Sequence, residues 1–321
     1  MRSAKVRSLA KINLDLRILN KRDDGFHELR TVFQTISLAD TIEIHFSRSK
    51  KTELTIEGSA AIPDNLILRA ARAVLDASRL HARVHFRLTK KIPMGAGLGG
   101  GSSNAAAILL ALPALSGRTA PVEAIAAELG SDVPFFLQGG TAVAVGRGTE
   151  FYNLPDLAEE PILVAGSGVH VATGAAYQAL GRGLTFIELS SSIRSFQGFV
   201  RALGDGRRAT LASALSRNDF EAVVFRQYPQ LKTILGKLSK SGAAGARMTG
   251  SGSAVFAIYR SAEERERART MLNGDRSFSG CRVTPARLIS RPGYERLWRR
   301  QLREHIDPGD DLWPPRSRYA Q

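Results

Sequence analysis

The chain has 321 residues, enough for one large or two medium domains with real cores, and its 43% hydrophobic, 23% charged composition excludes a disordered, collagen-like or low-complexity polypeptide. Its single cysteine, Cys281, can form no internal disulfide and rules out a cysteine-based zinc or iron–sulfur site, which suits a reducing compartment. A formal charge of +15 (45 Lys and Arg against 30 Asp and Glu) fits nucleic acid, an anionic membrane surface or a phosphate-rich small ligand.

The amino terminus is basic but has no continuous apolar core, so it does not read as a signal peptide. From Ile12 the pattern is of period two: Ile12, Leu14, Leu16 and Ile18 alternate with Lys11, Asn13, Asp15 and Arg17. This predicts a strand with one buried and one polar face, from which Lys11, Asn13 and Asp15 project together, successive ones about 7 Å apart. A polar turn at Arg22-Asp23-Asp24-Gly25 follows, then strand-like runs at 32–36, 42–46 and 54–56. Asp64-Asn65 is placed to cap a helix from Leu66 through Leu75, because a short polar side chain there accepts a free backbone N–H.

Val84, Phe86 and Leu88 alternate again and lead into a glycine-dense loop, from Lys91 through Pro93, Met94, Gly95, Ala96, Gly97, Leu98, Gly99, Gly100 and Gly101. Ser102, Ser103 and Asn104 offer caps for the helix that follows. That helix is apolar on nearly all sides and is therefore expected in the middle of a domain. Its run from Ala105 to Leu112 meets Pro113 far short of the roughly 20 residues a membrane span needs. A helix near 122–129 ends at Gly130, and Ser131-Asp132-Val133-Pro134 opens another short one. Pro155 and Pro161 bracket a domain boundary; beyond it lie a strand at 162–165, helices and a second glycine loop, Met248-Thr249-Gly250-Ser251-Gly252, running into a strand. Past Ser290 the Arg- and Pro-rich chain reads as an appended tail, either unstructured or docked by Trp298 and Trp313. The basic residues are spread along the chain without interleaved aromatics, which weakens the nucleic-acid reading.

Clustered glycines ahead of a helix expose consecutive N–H groups, and the helix adds about half a positive charge, a combination suited to phosphate. The bland alternative is a flexible linker or tight turn. The Walker pattern is absent, and the match of Gly95, Gly97 and Gly100 to a dinucleotide fingerprint lacks a clean βαβ unit around it.

The string from Pro93 to Ser103 resembles the nucleotide loop of the GHMP kinases; Lys11-Ile12-Asn13-Leu14 is similar to that superfamily's first motif and Met248 to Gly252 to its third. A narrower likeness, to the branch that phosphorylates a cytidine diphosphate-linked methylerythritol in the non-mevalonate isoprenoid pathway, is carried by 10–14, 24–29, 64–67 and 130–136. The resemblance implies an α+β, two-domain GHMP kinase. Residues 1–155 form a ribosomal S5 domain 2-like nucleotide domain, 156–290 a ferredoxin-like domain, and 291–321 an extension. It implies ATP as donor and transfer of the γ-phosphoryl to the substrate's 2-hydroxyl, with Mg2+ carried by ATP and no protein ligand assignable to it.

Within that resemblance Asp132 is the general base, or else the cap of its helix, and Lys11 stabilises developing charge, or else is a solvated strand lysine. His27 reads the cytosine base, with Phe26 and Tyr177 as a stacking pair or as core. Thr173 and Asn13 lie on the substrate side. Asn65, Leu66, Lys91 and Met94 belong to the adenine side, while Ser102, Ser103 and Gly250, Ser251 and Gly252 close around the phosphates. A homoserine or mevalonate kinase is disfavoured by the Asp24-Gly25-Phe26-His27 segment, and an RNA-binding protein on an S5-like scaffold by Lys11, Asp132 and all three loops. The expected protein is a cytoplasmic monomer or weak homodimer that binds small molecules, without nucleic acid or membrane partners.

Overall fold

A computed structural model describes residues 1–58, 64–181, 186–204, 215, 217–309 and 311–320. Two strands of unusual length open the chain, β1 (Arg2–Lys21) and β2 (His27–Arg48), antiparallel to one another along their length. The runs predicted as separate strands at 32–36 and 42–46 belong to this single β2, because pairing with β1 carries the strand through the intervening polar residues with β-bulges rather than breaks. The other edge of β2 pairs with β4 (Ala82–Thr89) at one end and β5 (Thr141–Val145) at the other. With β3 (Glu53–Gly58) and β6 (Glu150–Asn153) these make a six-stranded sheet.

Four helices follow this sheet in sequence order among its strands: α1 (Leu66–Ala77), α2 (Gly100–Ser116), α3 (Val122–Leu129) and the single-turn α4 (Phe135–Gln138). Asn65 caps α1 through a 3.0 Å bond from the Ile67 N–H. Helix α2 starts earlier than the serines suggest: Gly99, in the left-handed conformation, is its N-cap, so Ser102, Ser103 and Asn104 lie within the first turns. From Ser103 to Leu112 every residue of α2 is buried, as a helix without a polar face requires.

A second sheet, in the order β10–β7–β9–β8, is built from β7 (Pro161–Gly166), β8 (Gly245–Met248), β9 (Val255–Ile258) and β10 (Arg282–Arg287). Its continuous apolar runs reflect burial on both faces. Ile162, Val164, Phe256 and Ile258 face a core shared with Ala10, Ile12 and Leu14 of β1, whereas Leu163, Ala165, Val255 and Ala257 face the helices on the opposite side. Those helices are α5 (Thr173–Leu180), α7 (Glu221–Gln227), α8 (Pro229–Ser239) and α9 (Ala262–Asn273); α6 (Phe186–Gly204) packs on the β1 side.

Strand β1 passes through all three cores, so its predicted polar face is not solvated: Lys11, Asn13, Asp15 and Arg17 are each at most 4% exposed. Period two identifies the two faces but not what covers the polar one. Asp15 and Arg17 tolerate burial because they pair with each other in a fork (Nε–Oδ1 2.9 Å, Nη2–Oδ2 2.9 Å), with Nη1 donating to the Ser192 carbonyl at 2.6 Å.

The tail is not an unstructured extension. Helix α10 (Arg291–Leu302) buries Tyr294, Trp298 and Leu302 in the core beneath the first sheet. The segment beyond returns over α2, where Ser317 donates to the Ala114 carbonyl at 2.7 Å. No helix among the described residues is long and apolar enough to cross a membrane.

Candidate active site

The glycine loop is fixed at its entrance by a residue no motif pointed to. Asp40, on β2 and fully buried, accepts from the Lys91 and Ile92 N–H groups at 2.7 and 2.9 Å and from the Lys90 ammonium. The bond pattern of a buried carboxylate is set by tertiary folding, and nothing in the local sequence of β2 announces it. Its consequence corrects one expectation: Lys90, not Lys91, lines the loop cavity, while the Lys91 side chain points to solvent.

From there the loop runs against the second glycine loop. Gly97 has φ +77° and lies so close to β8's exit that a Cβ there would sit 2.2 Å from the Thr249 carbonyl oxygen. Gly99 (φ +69°) leaves room for the Phe136 ring and the Lys11 stem, which its Cβ would meet at 2.8 and 3.1 Å. Only glycine permits both contacts. The loop's apolar side chains, Ile92, Ala96 and Leu98, are buried in the core shared with the second sheet, which leaves the backbone and the start of α2 facing outward.

Two cavities meet at this loop. One, of about 360 Å³, is lined by Asn65, Leu66, Pro93, Met94, the glycines from Gly95 to Gly101 and Ser102. Asn65 thus both caps α1 and faces the cavity. The other, of about 630 Å³, is lined by Lys11, Asn13, Phe26, His27, Asp132, Arg147, Thr173, Tyr177, Gly250 and Ser251; Gly97 and Gly99 border both.

Ser103 does not reach either lining. Its hydroxyl donates to the Leu9 carbonyl at 2.6 Å, because one residue of helical rotation turns it from the cavity edge occupied by Ser102 toward β1. Gly252 also stands apart; its missing Cβ faces Met248.

At the junction Lys11 and Asp132 face each other, Nζ to Oδ2 3.6 Å. Asp132 makes no capping bond to α4, whose N-cap is Pro134, and its side chain is about a third exposed into the cavity. The Lys11 ammonium is buried. Moving such a charge from water costs several kcal/mol, and burial holds its pKa below the ordinary lysine value of 10.5, against the opposing pull of Asp132. Asn13 Oδ1 at 2.8 Å and the face of Phe33 at 4.8 Å complete its surroundings.

Asn13 faces the same cavity. Its amide oxygen accepts from Lys11, from the Thr249 hydroxyl (3.2 Å) and from the Gly250 N–H (3.0 Å), and its Nδ2 donates to Thr31 at 2.7 Å. The carboxamide oxygen thereby ties the lysine to the second glycine loop. Asn218 holds that loop from the other side, donating to the Met248 and Gly250 carbonyls.

At the far end of the larger cavity stand Phe26, His27 and Tyr177. Tyr177 stacks on His27 itself (centroids 4.7 Å, 21° between planes) and meets Phe220 edge-on. Phe26, half exposed, carries the Arg147 guanidinium over its ring at 3.6 Å. Burial and Lys21 lower the His27 pKa, so the imidazole is neutral at pH 7, one nitrogen a donor and the other an acceptor. Burial, with Asp132 nearby, pushes the Tyr177 phenol up to about 12. Thr173, first residue of α5, shares a 2.8 Å hydrogen bond with Ser251 and so links the cavity wall to the second loop.

Residues 65–140 match the family model for the GHMP kinases N terminal domain and 199–275 that for GHMP kinases C terminal. Fold and loops are thus those of a GHMP kinase. The chain is 50% identical over 325 residues to a 4-diphosphocytidyl-2-C-methyl-D-erythritol kinase of Solibacter usitatus strain Ellin6076, covering 99% of this chain and 98% of that one. A protein of the same name from Prosthecochloris aestuarii is 37% identical over 290 residues (89% and 98%). A solved 4-(cytidine 5'-diphospho)-2C-methyl-D-erythritol kinase superposes with a TM-score of 0.73 at 34% identity, covering 88% of this chain and 98% of the other. Homoserine kinase from Cytophaga hutchinsonii, at 18% identity and TM-score 0.69, shares the fold. The chain belongs to the 4-diphosphocytidyl-2-C-methyl-D-erythritol kinase family.

Proposed function

We propose that the chain transfers the γ-phosphoryl group of ATP to the 2-hydroxyl of 4-diphosphocytidyl-2-C-methyl-D-erythritol, in the non-mevalonate route to isoprenoid precursors. The observation that carries this reading is the Lys11–Asp132 pair, 3.6 Å apart in the cavity that also holds His27 and Tyr177 and that shares Gly97 and Gly99 with the glycine-walled cavity. ATP lies in the first, its phosphates over the start of α2, and the acceptor in the second. Phosphoryl transfer asks mainly for alignment and charge stabilisation. Asp132 accepts the tertiary hydroxyl's proton as the new P–O bond forms, and Lys11 stabilises the charge on the attacking and migrating oxygens. Magnesium enters bound to the ATP phosphates; among the described residues no three His, Cys, Asp or Glu side chains cluster to form a cage for it. The enzyme is cytoplasmic and monomeric or weakly dimeric, with domains 1–155 and 156–290 and the extension 291–321 folded onto the first.

Because the lysine's pKa is lowered, its cation is lost as pH rises through a value below 10.5. The alkaline limb of kcat/KM, which reports the free enzyme, is therefore expected below the range of an ordinary lysine, and a pH–rate profile measures it. Tyr177→Ala is expected to raise KM for the cytidine substrate by roughly 5- to 150-fold, the worth of one stacked base, with KM for ATP little changed. The function itself is tested by ADP release with the cytidylyl substrate, homoserine and mevalonate as acceptors. Activity confined to the first is expected; turnover of either other acceptor in its place overturns the reading.

A further inference from the structure

The carboxyl-terminal extension reaches the short helix that follows Asp132. Three carbonyls at or just after α4 accept hydrogen bonds from it: Phe136 from the Tyr294 hydroxyl, Leu137 from Trp313 Nε1 at 2.8 Å, and Gly139 from Arg291 Nη2 at 3.4 Å. A four-residue helix has almost no internal bonds with which to hold itself. Its last carbonyls need outside donors, and here all three come from 291–313. Burial raises the Tyr294 pKa, which keeps the phenol a donor. The close fit is built from the other side as well: a Cβ on Gly139 would meet the Tyr294 ring at 2.5 Å. Tyr294 is itself braced edge-on by Trp298 and Trp313, with centroids 6.3 and 6.4 Å away.

The held segment touches the chemistry at two points. Asp132 lies immediately before it, anchored by buried Val133. The ring of Phe136, whose carbonyl Tyr294 grips, packs where Gly99 lacks a Cβ, beside the Lys11 stem. We infer that Tyr294 and Trp313 are positioning residues for phosphoryl transfer: the extension clamps α4 and thereby fixes Asp132 against Lys11. This rests on the kinase reading given above. The alternative is that the extension only adds stability to the first domain.

Tyr294→Phe removes one donor and keeps the ring, whereas Trp313→Phe removes the indole donor and leaves a smaller ring in its place. With ATP and the cytidylyl substrate, the clamp predicts a kcat lowered about 10- to 100-fold, as for a misplacement near 1 Å, with KM for ATP within about twofold of wild type. Hydrogen exchange in the protein without substrates should show lost protection confined to amides 133 and 135–139. Wild-type kcat in both folded variants overturns the inference, as does protection lost uniformly over the first domain with no separation of kcat from KM. Trp313→Phe, at the rim, serves if Tyr294→Phe does not fold. A wild-type protein inactive on the cytidylyl substrate instead overturns the kinase reading, and leaves the exchange measurement to judge the clamp.

Discussion

Asp132→Asn is expected to lower kcat by about 10²- to 10⁴-fold, the usual share of a positioned general base, while ATP affinity stays near wild type. The substitution is isosteric and removes no helix cap, since Asp132 makes none. Lys11→Ala is expected to cost a similar factor through lost charge stabilisation, and it leaves Asn13 Oδ1 with two remaining donors, Thr249 and Gly250, so the second loop stays attached. Because the two side chains act on one proton and one phosphoryl group, the double variant should lose less than the product of the single losses. Steady-state kinetics paired with calorimetric titration of ATP separates these effects. Near-normal turnover in either single variant removes that residue from the mechanism.

Gly97→Ala is the second large effect expected. The new methyl would lie 2.2 Å from the Thr249 carbonyl oxygen, and the backbone at φ +77° is one that alanine adopts at a cost of about 1–2 kcal/mol. The two glycine loops must separate, and with them the junction of the two cavities. We expect kcat/KM for ATP to fall about 100-fold, with a melting temperature several degrees lower. Gly198→Ala, in α6 with nothing within 4 Å of its would-be Cβ, is the matched control. There alanine improves helix propensity by up to about 1 kcal/mol, and activity should not change. Equal behaviour of the two variants would contradict the close approach of the loops.

How far the sequence reveals this site depends on how local each signal is. The α1 cap at Asn65, the end of α3 at Gly130 and the all-apolar α2 are written in neighbouring residues, and the structure has them there. The glycine loops are legible for the same reason, since a run of small residues ahead of a helix has few other uses. Features that depend on a distant partner are not legible. The polar face expected of β1 is there, but that it is buried is not legible, because distant elements close over it. Asp40 reads as an ordinary polar residue until the start of the glycine loop folds onto it. Ser103 and Lys91 are misplaced by a single residue each, a shift of about 100° on a helix and a change of side on an extended segment. That Tyr177 stacks on His27 is not legible either, because it is α5 that brings the ring over the start of β2. Of the extension, docking by Trp298 and Trp313 is legible from the two indoles, but its hold on α4 is not, and its arginines and prolines conceal that Tyr294, Trp298 and Leu302 form the buried side of α10.

The most direct test follows the phosphorus. In ³¹P NMR of the protein incubated with MgATP and 4-diphosphocytidyl-2-C-methyl-D-erythritol, ATP should convert to ADP. One new phosphomonoester resonance should appear, coupled to no proton because it sits on a tertiary carbon, with the cytidine diphosphate signals retained. Release of inorganic phosphate alone, or a monoester coupled to a neighbouring proton, would contradict an acceptor hydroxyl held between Asp132 and Lys11.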